Sequence, residues 1–203
     1  AELEVDRAKL NLAAEWLERR LAQAVDEPDL QAWLLHAAAV HHQFSGKAQP
    51  SEFTRDALAG LYGRRERLNA YGRALLALAA NALGDGESAK VLVRNLENGV
   101  VWDRDPAKSI LQPGSTAEPR PATAHWGRDG ISWRWAEGAV ESTAFALRAL
   151  IAIDPDSALI EPASLWLIQN RRGAQWSNTR DTAIALLSMT RLLERQGAAL
   201  DAC

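Results

Sequence analysis

Three observations predict an all-α fold. Apolar residues recur at three- and four-residue spacings along most of the chain, strand-like alternation is nearly absent, and a helix-pair unit repeats within it. The architecture they point to is an α/α toroid, or an open arc of one, with about eight helices. Residues 1–203 read as a single domain, interrupted by a long insertion at 103–136 rich in Trp and Pro.

The first helix spans residues 5–24, where Leu10, Ala13, Trp16, Leu17 and Leu21 fall on one face and Glu15, Glu18 and Arg19 lie between them. Pro28 suits the first turn of a second helix, capped by Asp26 and running to about His42. Ser51 with Thr54 opens a third helix, and Asn69 to Leu83 forms a fourth. A Gly84-Asp85-Gly86 turn precedes a fifth, which ends near Glu97 with Gly99 just beyond. Glu137–Ile153, Ser157–Arg171 and Ser177–Gln196 complete the set, with Asp156 or Ser157 as the cap of the seventh.

The insertion holds four of the eight prolines and three tryptophans, Trp126, Trp133 and Trp135. A stretch this long without helices is unusual inside a compact domain. "HWG" (125–127) and "ISWRW" (131–135) flank an Asp-Gly turn and read as two short strands. Trp133 and Trp135 would then share a face, either capping an opening between helices or stacking on a sugar or base.

The repeat itself is gapless over "YGRALLAL" (71–78), "TAFALRAL" (143–150) and "TAIALLSM" (182–189), which align Leu75, Leu147 and Leu186. The partner helices align as well. "LVRNLENGVVW" (92–102) lies over "WLIQNRRGAQW" (166–176), matching Gly99 to Gly173 and Trp102 to Trp176. One helix class is small and apolar nearly all round; the other carries charge on one face (Glu87, Lys90, Arg94, Glu97; Glu161, Arg171, Arg172). An inner ring inside an outer ring accounts for that inequality, whereas a straight solenoid would pair more equal helices. In the joint 165–187, Gly173 reads as an outer-helix stop and Trp176 as a plug between layers. Asn178 or Thr179 reads as the next cap. Gln169 has no repeated counterpart, since Asn95 aligns with it, and gets no chemical role.

A net charge of −3 argues against nucleic-acid binding, and the basic stretches at 62–67 and Arg171-Arg172 fall at helix ends. No apolar run reaches the roughly 18 residues of a membrane span, and no signal region opens the chain. The lone Cys203 has no partner for a disulfide or a zinc site. His36 reads as a satisfied core histidine, His41 and His42 as a helix C-terminal pair, and His125 as part of the tryptophan segment. Glu141 and Asp181 stand in the first turns of two inner helices. There they complement the helix dipole, with Thr143 and Thr182 bonding back to carbonyls, or else form an acid pair at the mouth of the ring. No catalytic, cofactor-binding or metal-ligating residue is assigned.

"WAEGAVESTAFALRALI" and "WLIQNRRGAQWSNTRDTAIALLSM" resemble the thioester (complement-like) domain of the α2-macroglobulin family, most closely its bacterial members. The resemblance is specific from about Asn69 to Leu193 and rests on helix pattern upstream. It implies the C-terminal two thirds of an α/α-toroid domain in a large exported protease trap, periplasmic or extracellular. Its partners would be proteases and neighbouring macroglobulin-like domains, without nucleic acid or membrane contact and without a cofactor. The family's reactive Cys-x-Glu-Gln segment is missing, so no reactive residue carries over. A helical-barrel enzyme is the alternative, of the terpenoid cyclase or prenyltransferase type on the loose Gln169-x-x-x-Gly173-x-x-Trp176 match, or of a polysaccharide-processing type on the tryptophan-rich loop. A helical-repeat interaction scaffold is the third reading.

Overall fold

The structure is a computed structural model that describes residues 6–23, 26–45, 49–104, 121–128 and 138–201. Eight α-helices lie among them: α1 (Arg7–Gln23), α2 (Pro28–Ser45), α3 (Glu52–Gly63), α4 (Ala70–Ala82), α5 (Gly86–Asn98), α6 (Ala139–Ile153), α7 (Ile160–Gln169) and α8 (Thr179–Asp201). The all-α expectation holds. Side-chain oxygens start five of these helices by accepting otherwise orphaned backbone N–H groups, beginning with Asp6 ahead of α1, which accepts from Ala8 and Lys9. Ser51 accepts from Thr54, Asn69 from Gly72, Asp85 from Ser88 and Asn178 from Asp181, at 2.9–3.2 Å. Asn178, one of the two caps expected for the last helix, is therefore the one used. The seventh helix departs from expectation. It begins at Ile160, after a turn closed by the Ile160 N–H on the Ser157 carbonyl, and neither Asp156 nor Ser157 caps it. Ser157 donates instead to Glu97 on α5 at 3.0 Å.

The even-numbered helices pack side by side in the order α2, α4, α6, α8, and the odd-numbered ones lie outside them. Small residues permit this close approach. Ala74, Leu75, Leu76, Ala77, Ala79 and Ala80 of α4 are all fully buried, as are Ala144, Ala146, Leu147 and Ala149 of α6. A helix buried on several sides keeps no polar face, which explains the Ala/Leu sequence of this class. The outer α5 buries Ala89, Leu92, Val93 and Leu96 and leaves Glu87, Lys90 and Arg94 in water. α8 packs on α6 and makes no extensive contact with α2, so the inner helices form an open arc. Leu186 of α8 is 52% exposed, although its repeat equivalents Leu75 and Leu147 are fully buried.

Two short strands, β1 (Val101–Asp103) and β2 (Thr123–His125), pair antiparallel with Trp102 opposite Ala124. The first strand expected in the insertion thus lies slightly upstream of "HWG", and β1 is its partner on one edge. "ISWRW", with Trp133 and Trp135, lies outside the described residues, as does Cys203.

Candidate functional site

The inner helices run parallel, since their N-terminal turns are linked in sequence along one rim. Asp29 at the start of α2 accepts the Asn69 N–H at 3.3 Å, and a Cβ on Gly72 would collide with the Asp29 carboxylate. Tyr71 of α4 meets Glu141 of α6. Glu141 in turn pairs with Arg180 of α8 at 2.9 Å. Asp181 beside it receives the Asn178 side-chain N–H at 2.9 Å. The sequence thus brings its two noted acids to one rim. Burial is the largest influence on both and raises them above the usual carboxylate range, with Arg180 pulling each back. Burial also raises the Asp29 carboxyl, against the Asn69 hydrogen bond and Arg73, and it raises the Tyr71 phenol with help from Glu141. Arg180 and Tyr71 are the members that sequence reading missed. Only the position of Arg180 just ahead of Asp181 hinted at it.

Further along the same helices, an aromatic and basic group fills the space between α2, α4 and α6. His36 and Tyr71 both meet Phe145 edge-on, at 6.1 and 5.3 Å between ring centres. The Arg148 guanidinium lies 5.4 Å over the same ring. His36 lies among these core side chains but is only partly buried, and it is not the satisfied core histidine that the sequence suggests. Its Nδ1 has no hydrogen-bond partner, and burial together with Arg148 lowers its pKa to about 4. A group depressed from about 6.5 supports the fold above that value, and its contribution is lost as pH falls toward 4. Replacing His36 with Phe should therefore remove up to about 3 kcal/mol of acid-induced destabilisation, measured as the shift in urea midpoint between neutral and mildly acidic buffer. An equal shift in both proteins would contradict this.

The tryptophan joints require a correction. Trp176 is the expected plug: its indole Nε1 donates to the Leu167 carbonyl at 2.9 Å and its backbone N–H to Thr182 Oγ1 at 3.0 Å. Its structural counterpart is not Trp102, which lies on β1 and is 43% exposed. Trp126 holds that place. It donates from Nε1 to the Leu96 carbonyl at 2.8 Å and from its N–H to Thr143 Oγ1 at 3.0 Å, and it is fully buried. The insertion leaves the outer helix after Trp102 and returns through β2, so the residue beyond the excursion reaches the layer boundary. Gly127 follows at φ +85°, and a Cβ there would sit 2.9 Å from Ser142 Oγ and 3.1 Å from Ala139 Cα. Only glycine passes so close to the start of α6 in that conformation. Thr182 bonds back to the Asn178 carbonyl as expected, whereas Thr143 donates to the Trp126 carbonyl. His125, on β2, stacks on Trp166 at 4.7 Å. Gln169 ends α7. The basic side chains at 62–67 serve helix ends, with Arg64 donating to the Gly60 carbonyl and Arg65 to that of Tyr62.

Among the described residues no group of three or more His, Cys, Asp or Glu is placed to hold a metal ion. None of their helices is long and apolar enough to cross a membrane. The sequence model of the A-macroglobulin TED domain matches residues 11–191. The chain belongs to the A-macroglobulin TED family. No curated protein matches it significantly. The match reaches well upstream of Asn69, where the sequence alone offered only helix pattern, and takes in most of α1 together with α2 and α3. In this TED domain the joint built on Trp126 recurs at Trp176, and the Glu141–Arg180 pair ties α6 to α8.

Proposed function

We propose that this TED chain is a structural, non-catalytic part of a bacterial α2-macroglobulin-like protease trap, held in the periplasm or outside the cell. The family match over 11–191 carries this reading. Two further observations support it. The sequence contains no Cys-x-Glu-Gln segment to form a thioester. Glu141 is paired with Arg180 across the α6–α8 joint, and Asp181 accepts from Asn178 at the start of α8. The chain would represent the later two thirds of the toroid, a reading supported by the uncovered Leu186, Leu187 and Leu193 on α8. Its partners would be the adjoining macroglobulin-like domains and, through the whole protein, proteases.

The test uses the parent protein. Incubated with a panel of endopeptidases and run on native gels, it should change mobility once its bait region is cut. Cleavage there with unchanged mobility would overturn the proposal. The chain alone, given polyprenyl diphosphates or glycans, should yield no product; turnover of either would favour the helical-barrel enzyme instead.

A further inference from the structure

Arg148 breaks the inner-helix repeat. It stands where the other two units carry Leu76 and Leu187, so a cation occupies an apolar position of α6. A break in an otherwise consistent pattern is where function is to be sought. Glu141, Phe145 and Arg148 are spaced i, i+4, i+7 and share one face of that helix. His36 from α2 and Tyr71 from α4 both meet Phe145, so this face looks across α4 into the concave side of the arc. From α8, the Arg191 charge bears on Arg148. All four inner helices thus contribute to one place.

The charges there do not balance. Arg180 is answered by Glu141 at 2.9 Å and Arg191 by Glu194 at 2.8 Å. Arg148 is half-buried, and among the described residues no carboxylate or other hydrogen-bond acceptor meets its guanidinium. The Phe145 ring, 5.4 Å away, attracts the positive charge through its face but offers no acceptor oxygen to the five N–H donors. His36 brings no negative charge, and its Nδ1 is buried without a partner. Glu141, two turns back on α6, is committed to Arg180. One positive charge and a fork of donors are left uncompensated in partly desolvated surroundings, where an ion pair is stronger than in open water.

We propose that Arg148 anchors a carboxylate-binding site on the concave face of the arc, walled by His36, Tyr71 and Phe145. A carboxylate fits on two counts. Its two oxygens match the guanidinium fork, and its single charge matches the one cation left unpaired, since Arg191 is already held by Glu194. The aromatic walls favour a carboxylate on an apolar or aromatic stem over a bare ion. It belongs either to a small organic acid or to an Asp or Glu side chain of a partner segment.

The intact chain is titrated with acetate, phenylacetate, a blocked Ala-Glu-Ala peptide and, for comparison, sulfate, at constant ionic strength made up with sodium chloride. Nuclear magnetic resonance follows the arginine Nε–H signals and the α6 backbone amides. The Arg148 signal should move saturably with a carboxylate, at a midpoint on the order of 10 mM, while that of Arg195 moves little. Phenylacetate binding more tightly than the peptide identifies a small acid, and the reverse identifies a side chain; either supports the site. No saturable shift, an equal shift at Arg195, or tighter binding of sulfate than of every carboxylate overturns the proposal. In Arg148→Gln, read from the α6 amides, the midpoint should rise roughly tenfold or more, and an unchanged midpoint overturns it. If that variant does not fold, Arg148→Lys keeps the charge and loses the fork. Binding several-fold weaker there supports the site, and equal binding overturns it.

Discussion

Trp126→Ala is expected to cost about 3–5 kcal/mol, a large share of the stability of a chain this size. The indole is fully buried, and its removal leaves a cavity between α5 and α6 and takes one of two donors from the Leu96 carbonyl, which keeps the Gly99 N–H. Thr143 still receives the backbone N–H of residue 126, so the loss belongs to the side chain. Trp126→Phe keeps much of the apolar volume and should lose less, near the cost of one buried hydrogen bond and a small void. Trp102→Ala is the control. That side chain is 43% exposed on β1, and its loss should cost no more than about 1 kcal/mol. Denaturant unfolding followed by far-ultraviolet circular dichroism measures all three. A Trp102 variant as damaged as the Trp126 variant would restore the gapless alignment and refute Trp126 as the plug.

Leu147→Ala and Leu186→Ala should have opposite outcomes despite their equivalence in the repeat. Leu147 is fully buried where α6 meets its neighbours, and its truncation should cost about 2–5 kcal/mol. Leu186 is 52% exposed, so the same change should alter stability by about 0.5 kcal/mol or less. Melting curves at several protein concentrations test this. A penalty for Leu186→Ala that matches the one for Leu147→Ala would mean that the α8 face is covered in solution.

Much of this arrangement was legible in the residues. Pro28, Ser51, Asn69 and Gly84-Asp85-Gly86 marked helix boundaries because caps, first-turn prolines and tight turns obey local rules. The inner and outer classes were legible because burial on several sides excludes charge while burial on one side requires a polar face. Ser157 misled for the same local reason: a capping residue in the right place does not reveal that its hydroxyl has a stronger claim from Glu97, sixty positions away.

Periodicity, caps and the repeat set out the eight helices and their two layers, since those properties are settled within a few turns of chain. Three matters were decided in space. Trp126 displaced Trp102 as the plug because β2 returns the chain to the layer boundary past an excursion that gapless alignment could not cross. Glu141 and Asp181 became one electrostatic unit because Arg180 reaches between α6 and α8. Leu186 stayed in water while Leu147 was buried because a repeated side chain is covered only where a neighbouring hairpin lies against it. Each rests on a contact between residues distant in the chain, and the energies of burial and charge act through those contacts.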